Sequence, residues 1–237
     1  MSQSLKCFFS LFLLDILFLS NCNKNAENPV PIPDAPVILS SPPDTVLTEK
    51  GIDAIPDNNA IQIQWELNAI FHGYRLYKKS QEDETFSLTA DLGEADSLYI
   101  DEKNIVFNVR YFYFIKGVDE NGTWSEPSDT VDYMLIAKAF NLLVSSEEHL
   151  LFHWQFYDYS PEMYILKLFD AQDDSLIWMS KIMPSYETLE EQAQFNWDGK
   201  AKIRKLVPGK AYQWRIDIRG PSLNSGSESH WQKFVLQ

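Results

Sequence analysis

The clearest pattern in the chain is an alternation of apolar and polar residues within the segment 105–133. Tyr111, Tyr113 and Ile115 occupy every second position there, and this spacing turns side chains to one face of a strand. A turn that contains a glycine, Glu120-Asn121-Gly122, separates this run from a second strand-like run. We therefore predict a β-hairpin whose aromatic first strand lies in the centre of a sheet.

The same period of two appears earlier, where residues 60–67 read AIQIQWEL. This alternation predicts a half-buried antiparallel strand that turns Ile61, Ile63, Trp65 and Leu67 towards the core. Further strand-like runs cover 74–79, 88–92 and 97–100. Short strands at such intervals, separated by turn residues, are typical of a β-sandwich or a β-barrel.

The second half of the chain repeats this order more faintly. Trp154 lies in an alternating run that matches the run around Trp65, and Tyr164 begins a run that matches the one at Tyr74. Residues 187–192 fit either a helical turn or part of a long loop. An internal repeat of about 100 residues predicts an all-β chain made of two similar sandwiches.

A family resemblance rests on Trp65, on Gly73-Tyr74-Arg75-Leu76, on Tyr111-Phe112-Tyr113 and on the stretch VDENGTWSEPSDTV. Together they resemble a bacterial fibronectin type III domain, over about residues 35–135. The resemblance implies an immunoglobulin-like sandwich. It also implies that Trp65 is buried and packs against Tyr111, whose hydroxyl makes the corner hydrogen bond to nearby backbone. The repeat gives Trp154 and Tyr212 the same structural roles in the second half.

The corner motif of that family, Leu-x-Pro-Gly-x-x-Tyr, is complete at 206–212. In the first half Asn108 stands where the motif has glycine. Asparagine tolerates a positive φ, so this replacement is compatible with the same corner.

The N-terminus has the features of a secretory targeting signal. Lys6 precedes a short apolar run that is interrupted by Asp15, and the run ends in Leu19-Ser20-Asn21-Cys22. This ending resembles the lipobox of bacterial lipoproteins, which implies a signal peptide at 1–21 and acylation of Cys22. The alternative is a plain secretory signal in which Cys22 has no special role. Several acyl chains on one residue would hold the protein stably on a membrane.

The position after Cys22 is asparagine rather than aspartate, which by analogy with lipoproteins favours the outer membrane of the cell envelope. Whether the body faces the periplasm or the cell surface stays open. Residues 22–36 are rich in proline and predict an extended tether about 40 Å long. We then expect a fibronectin type III domain at 37–136 and a second, divergent one at 137–237.

The composition narrows the function classes. A net charge of −14 disfavours binding to nucleic acids, because their phosphates are negative as well. The two cysteines, Cys7 and Cys22, both lie at the N-terminus, so the body has neither a disulfide framework nor a cysteine metal site. His149 and His153 would stand about 13 Å apart in a strand, too far for one ion.

The remaining motifs favour a protein without catalysis, metal or cofactor. The sequence contains no recognisable nucleophile, zinc or phosphate-loop motif. Asp119, Asn121 and Gly122 faintly resemble a calcium loop but lack its distal glutamate, and a plain turn is the simpler interpretation. We therefore predict a lipid-anchored binding or spacer module, with a carbohydrate-binding accessory lipoprotein as the alternative.

Strand alternation also predicts where a partner would bind. If Tyr111 and Tyr113 face inward, Phe112 and Phe114 face outward, and Tyr77 on the neighbouring strand faces the same way. Three aromatic side chains in water would form an apolar patch of the kind that marks contacts. The patch predicts a protein or glycan partner, unless the second domain or a loop covers it.

Overall fold

A computed structural model describes residues 31–41, 50–146, 148–157 and 161–237. The predicted signal peptide, the lipidation residue Cys22 and most of the tether lie outside these ranges. Within the described ranges all regular structure is β-strand. No helix in this described part is long and apolar enough to cross a membrane.

The first half forms a sandwich of two antiparallel sheets. Its strands are β1 (Ile52–Ala54), β2 (Ile61–Gln64), β3 (Gly73–Ser80), β4 (Ser87–Gly93), β5 (Leu98–Asp101), β6 (Arg110–Val118) and β7 (Val131–Leu135). One sheet has the order β1-β2-β5, and the other runs β4-β3-β6-β7. As predicted, β6 lies between two neighbours in the centre of its sheet.

The second half repeats this arrangement. Its strands are β8 (Phe140–Ser145), β9 (Leu151–Gln155), β10 (Met163–Asp170), β11 (Leu176–Ile182), β12 (Glu190–Gln194), β13 (Ala211–Arg219), β14 (Ser225–Glu228) and β15 (Gln232–Val235). One sheet is β8-β9-β12, and the other is β11-β10-β13, with β14 and β15 both paired to β13. The predicted fold class, all-β with two tandem immunoglobulin-like sandwiches, is confirmed.

Each sandwich has its own hydrophobic core, built from the alternate inward positions of its strands. The largest buried side chains of the first core are Trp65, Tyr74, Tyr113, Ile61 and Ile63. Those of the second are Trp154, Trp178, Trp214, Tyr164, Tyr212 and Phe152. Among the buried core residues, the change from the first core to the second falls between Leu135 and Ile136. The bounds 37–136 and 137–237 stay a prediction.

Two local predictions need correction. Leu67, expected to face the core, is 55% exposed. The ladder of β2 ends at Gln64, the chain turns at 69–70, and Phe71 is buried in the core instead. Within the segment left open between a helical turn and a loop, the structure has β12, which pairs with β9.

The two sandwiches are joined through their main chains. Strand β14 of the second sandwich lies parallel to β7 of the first, with Ser225 opposite Met134 and Gly226 opposite Leu135. The amide of Met134 donates to the carbonyl of Asn224 at 2.9 Å, and the amide of Ile136 donates to that of Gly226 at 3.1 Å. One sheet therefore continues from β11 through β14 and β7 to β4.

Side chains reinforce this junction. The Lys138 ammonium group donates to the carbonyls of Ile55 and Pro56 in the first sandwich and of Glu228 in the second. Arg110, on β6, donates to the hydroxyl of Ser222 at 2.8 Å in the second sandwich. Because three carbonyl oxygens match the three N–H donors of an ammonium group, Lys138 ties the two sandwiches together.

Candidate functional site

The predicted binding residues lie together on the outward face of the larger sheet of the first sandwich. In the antiparallel register of β3 and β6, Tyr77 stands opposite Phe114, and Lys79 stands opposite Phe112. Their neighbours along the strands, including Leu76 and Tyr113, are buried in the core. Because Leu76 and Tyr113 face inward, the three aromatic side chains are turned outward, where each is partly exposed.

The rings pack on one another. Those of Tyr77 and Phe114 are stacked, with centroids 4.7 Å apart and planes inclined by 12°. Phe86 meets Phe114 edge to face at 4.8 Å. Leu88, on β4, stands opposite Tyr77 and is 47% exposed. We call this set, Tyr77, Phe86, Leu88, Phe112 and Phe114, the aromatic face.

Sequence reasoning missed two members of the aromatic face. Phe86 precedes β4 and was assigned to no strand. Leu88 was assigned to a strand, but its neighbour Tyr77 becomes visible only when the register of β3 and β4 is known. The available signal was the alternation of Leu88 with Thr89 in a short run, which is too weak to specify a face.

Cationic side chains border the aromatic face. The Lys79 ammonium nitrogen lies 5.2 Å from the ring centroid of Phe86 and 5.6 Å from that of Phe112. At the other end of the face, Lys116 stands opposite Arg75. Aromatic rings attract cations through their quadrupole, so Lys79 is held over the rings.

These cations differ in their partners. Arg75 pairs with Asp91 at 2.6 Å, and Arg110 pairs with Asp132. Within the described part of the chain, neither Lys79 nor Lys116 forms an ion pair. The aromatic face is therefore flanked by two cations that form no ion pair within the described chain, although Asp83, whose pKa is lowered first by hydrogen bonds from Ser80, lies close enough to Lys79 for that cation to help lower it.

Among the described residues, the second sandwich contacts this sheet along its edge strand β7 and at Arg110. Arg110, at the start of β6, donates to the hydroxyl of Ser222 and to the carbonyl of Leu223. Phe112 and Phe114, the next outward positions on β6, remain partly exposed. The junction therefore leaves the aromatic face accessible.

The predicted core tryptophans are both buried. Trp65 contacts Tyr74 of β3, with ring centroids 5.7 Å apart, and Trp154 contacts Tyr164 of β10 at 5.3 Å. The resemblance had implied Tyr111, and not Tyr74, as the partner of Trp65. Aromatic rings in such tilted and edge-to-face arrangements stabilise a core beyond their buried area.

Both tyrosine corners are formed. The Tyr111 hydroxyl accepts from the amide of Val106 at 3.0 Å and donates to the carbonyl of Asn104 at 2.9 Å. The Tyr212 hydroxyl accepts from the amide of Val207 at 2.8 Å.

The corner glycine and its substitute adopt the same backbone conformation. Asn108 has a φ of 65° and Gly209 a φ of 77°. Both values lie in the left-handed region, so the physical reason for Asn or Gly at this position is the same in both halves.

The outward face of the second sandwich carries a buried charged cluster, with the ring of Trp231 beside it. Its members are Lys138, Lys167, Arg215, Asp217 and Glu228, each at most 9% exposed. Asp217 pairs with Lys167 at 2.6 Å and with the Nε of Arg215 at 2.8 Å. Arg215 also pairs with Glu228 at 2.6 Å. Burial lowers the pKa of Lys138 to about 8, although the nearby Glu228 opposes this shift.

The other residues considered as metal or calcium ligands make local hydrogen bonds. The ring of His153 lies 2.8 Å from the hydroxyl of Ser145. The carboxylate of Asp119 accepts from the amides of Asn121 and Thr123, as in an Asx turn. In the part of the chain that the structure describes, no three His, Cys, Asp or Glu side chains are grouped to hold a metal ion.

Comparisons with known proteins add little. No family model matches the chain, and no curated protein is similar to it. Among solved structures it is similar to a two-domain fibronectin type III segment of chicken tenascin, with 14% identity and a TM-score of 0.32. That match covers 79% of this chain and 98% of the other. It is also similar to the FN1–FN3 domains of chicken CNTN1, with 12% identity and a TM-score of 0.38, over 86% of this chain and 69% of the other.

At these TM-scores the likeness carries no argument about this chain. The description of its fold rests on its own strand order, its two cores and its two tyrosine corners.

Proposed function

We propose that this chain is a non-catalytic binding module whose aromatic face docks a protein partner. The supporting observation is the stacked pair of Tyr77 and Phe114, partly exposed on the outside of a central pair of strands. A sheet face that carries contiguous apolar side chains in water is the usual mark of a contact surface.

The ring geometry favours a protein over a glycan. A sugar ring stacks on an aromatic ring whose flat face is open. Here Tyr77 and Phe114 cover a face of each other, and Phe86 adds its ring at 67° to Phe114. The result is an uneven mixed patch with Leu88 beside it, which suits the apolar side chains of a protein better than a flat sugar ring.

Photo-crosslinking tests the docking proposal. We would incorporate benzoylphenylalanine at position 112 or 114 of the full chain in cells, and at position 203 as the control. Ile203 is 37% exposed and lies in the second sandwich. We expect a protein adduct from 112 and 114 that is absent from 203. Excess wild-type chain should suppress this adduct, and a Phe112→Thr, Phe114→Thr chain should not.

Two outcomes would contradict the docking proposal. One is an identical set of adducts from all three positions. The other is a set of adducts that the aromatic-to-threonine chain suppresses as well as the wild type does. Thr is chosen because it keeps a high strand propensity while it removes the rings.

The proposal includes a lipid anchor at Cys22 that places the module on the cell envelope, at the outer membrane. Its support is the sequence alone, because Cys22 lies outside the described residues. The short apolar run before Cys22 and the proline-rich residues after it fit a cleaved signal and a spacer.

Cys22→Ser should move the mature body from the membrane to the soluble fraction, because a serine offers no sulfur for acylation. Fractionation and intact mass would measure this. A wild-type mass without acyl groups, or an unchanged distribution of the variant, would refute the anchor and leave the docking proposal standing.

A further inference from the structure

The charges around the aromatic face indicate what kind of protein segment it binds. We propose that the docked segment is an extended acidic stretch in which two carboxylates flank one apolar side chain. The carboxylates would meet Lys79 and Lys116, and the apolar side chain would cover the pair of Tyr77 and Phe114. This inference rests on the proposed function.

The register of the two strands sets the spacing of these groups. Lys116 stands opposite Arg75, the stacked pair occupies the next outward row, and Lys79 stands in the row after that. Outward rows are two residues apart, which is about 6.6 Å along a strand, so the two lysines are about 13 Å apart along the strands. In an extended partner the same distance separates residues i and i+4, and residue i+2 lies between them on the same face.

The lysines are available for such a contact. The arginines near the face have carboxylate partners, Asp91 for Arg75 and Asp132 for Arg110. Lys79 and Lys116 form no ion pair within the described residues, and Lys79 lies over two rings that a partner would enclose. An incoming carboxylate would gain a charge-assisted hydrogen bond beside an apolar surface from which water is displaced.

The net charge of the whole chain also bears on the selectivity of the aromatic face for acidic over basic segments. A chain of net charge −14 repels acidic peptides in general. Acidic segments can therefore bind only where cations are concentrated, whereas basic segments would be attracted to many places and held in none of them specifically.

Peptides of matched length test the inference. The probes are fluorescein-labelled 13-residue peptides centred on Glu-Thr-Leu-Thr-Glu, with Lys-Thr-Leu-Thr-Lys and Gln-Thr-Leu-Thr-Gln as comparisons. They are titrated with the full chain and followed by fluorescence anisotropy. We expect the acidic peptide to bind about tenfold more tightly than the neutral one, with an affinity that falls as salt is added.

The variant Lys79→Gln, Lys116→Gln should reduce binding of the acidic peptide about tenfold and leave binding of the neutral peptide unchanged. The matched control is Lys202→Gln, Lys205→Gln, which removes two exposed lysines of the second sandwich. It removes the same charge from the chain, and we expect it to have little effect.

The outcomes separate this inference from the docking proposal. If the lysine variant binds the acidic peptide as well as its control does, or if the neutral and basic peptides bind as tightly as the acidic one, the acidic segment is refuted. In that case loss of all peptide binding in the Phe112→Thr, Phe114→Thr chain would still support docking at the aromatic face. If no peptide binds, the acidic segment is refuted too, and photo-crosslinking decides the docking proposal independently.

Discussion

The two sandwiches carry opposite chemistry on corresponding strands. When the core tyrosines Tyr74 and Tyr164 are matched, the position of Tyr77 on β3 corresponds to that of Lys167 on β10. Matching the corner tyrosines in the same way pairs Phe114 with Arg215. The aromatic side chains are partly exposed, whereas Lys167 and Arg215 are 2% and 3% exposed.

This is the reverse of the usual distribution, in which charged side chains are rarely buried and aromatic ones usually are. The charges of the second sandwich are tolerated because they are paired, with Asp217 between Lys167 and Arg215. Trp231 also covers the Arg215 guanidinium, 4.8 Å from its ring centroid. The comparison teaches that a sheet face is buried or open according to what covers it, and not according to its own polarity.

The largest loss of stability should come from a change in the buried charged cluster of the second sandwich. Asp217→Asn removes the carboxylate that Lys167 and Arg215 share, and we expect it to lower the free energy of unfolding by about 3–5 kcal/mol. Denaturant unfolding of the full chain measures this.

The matched control for this change is Asp91→Asn, which removes the partner of the exposed Arg75. A solvent-exposed pair contributes much less to stability than a buried one, so we expect a much smaller loss from this variant. Equal losses of unfolding free energy in the two variants would mean that the charges of the second sandwich are no more buried than the pair of Arg75 and Asp91.

The next largest loss of stability should come from a change at the junction between the two sandwiches. A Cβ at position 226 would lie 2.6 Å from the carbonyl oxygen of Ile218 and 3.0 Å from the hydroxyl of Tyr133. Gly226→Ala should therefore displace β14 from its place between β13 and β7, which weakens the junction, and cost about 1–3 kcal/mol. Differential scanning calorimetry should show one transition in the wild type and two in the variant.

Gly93→Ala is the control for the junction, because a Cβ there meets only the carboxylate of Asp96 at 3.5 Å. It should keep the single transition. Two transitions already present in the wild type would show that the sandwiches unfold independently despite the shared sheet.

A smaller change in stability is expected on the aromatic face. Phe112→Thr with Phe114→Thr removes rings that are already partly in water, so we expect a loss of about 1–2 kcal/mol in total. Thermal unfolding monitored by circular dichroism checks this. A loss as large as that of Asp217→Asn would identify these rings as core rather than contact surface.

The smallest effect is a dependence on pH that only the charged cluster should show. The pKa of Lys138 is about 8 in the folded chain and near 10.5 when unfolded, so above pH 8 the unfolded state holds more protons. The stability should therefore rise with pH, by about 1 kcal/mol between pH 8 and 9.

Lys138→Met tests this assignment through the slope of unfolding free energy against pH. The slope between pH 8 and 9 should flatten in the variant, whatever its absolute stability. An unchanged slope would mean that another group causes the dependence.

The sequence was informative wherever a local rule determines structure. Alternation placed Tyr111, Tyr113 and Ile115 in a central strand, and the positive φ of Asn108 follows from its place in the corner motif. Alternation failed for Leu67, because period two says nothing about where the partner strand stops. It also missed β12, because the strand is rich in glutamate and glutamine and its buried positions include Glu191.

Long-range features were out of reach for a physical reason. Alternation assigns Lys167 and Asp217 to the outward face but cannot say what lies on that face. The pairing of β7 with β14 depends on main-chain groups, which every sequence supplies alike. The outward aromatic residues were predictable, whereas their cationic border required the register of β3 and β6.

The shared sheet also has a consequence for the order in which the chain is made. The hydroxyl of Ser227 donates to the carbonyl of Ala137, 90 residues earlier, and the neighbouring residues of β14 close the open edge of β7. While the chain emerges from the ribosome, the first sandwich can form its core long before this late strand arrives. During that interval its β7 edge has free main-chain donors and acceptors, which is when a strand from another molecule could pair with it. Slow delivery of the 90 residues that follow Ala137, up to Ser227, would therefore lengthen this interval without changing the finished fold.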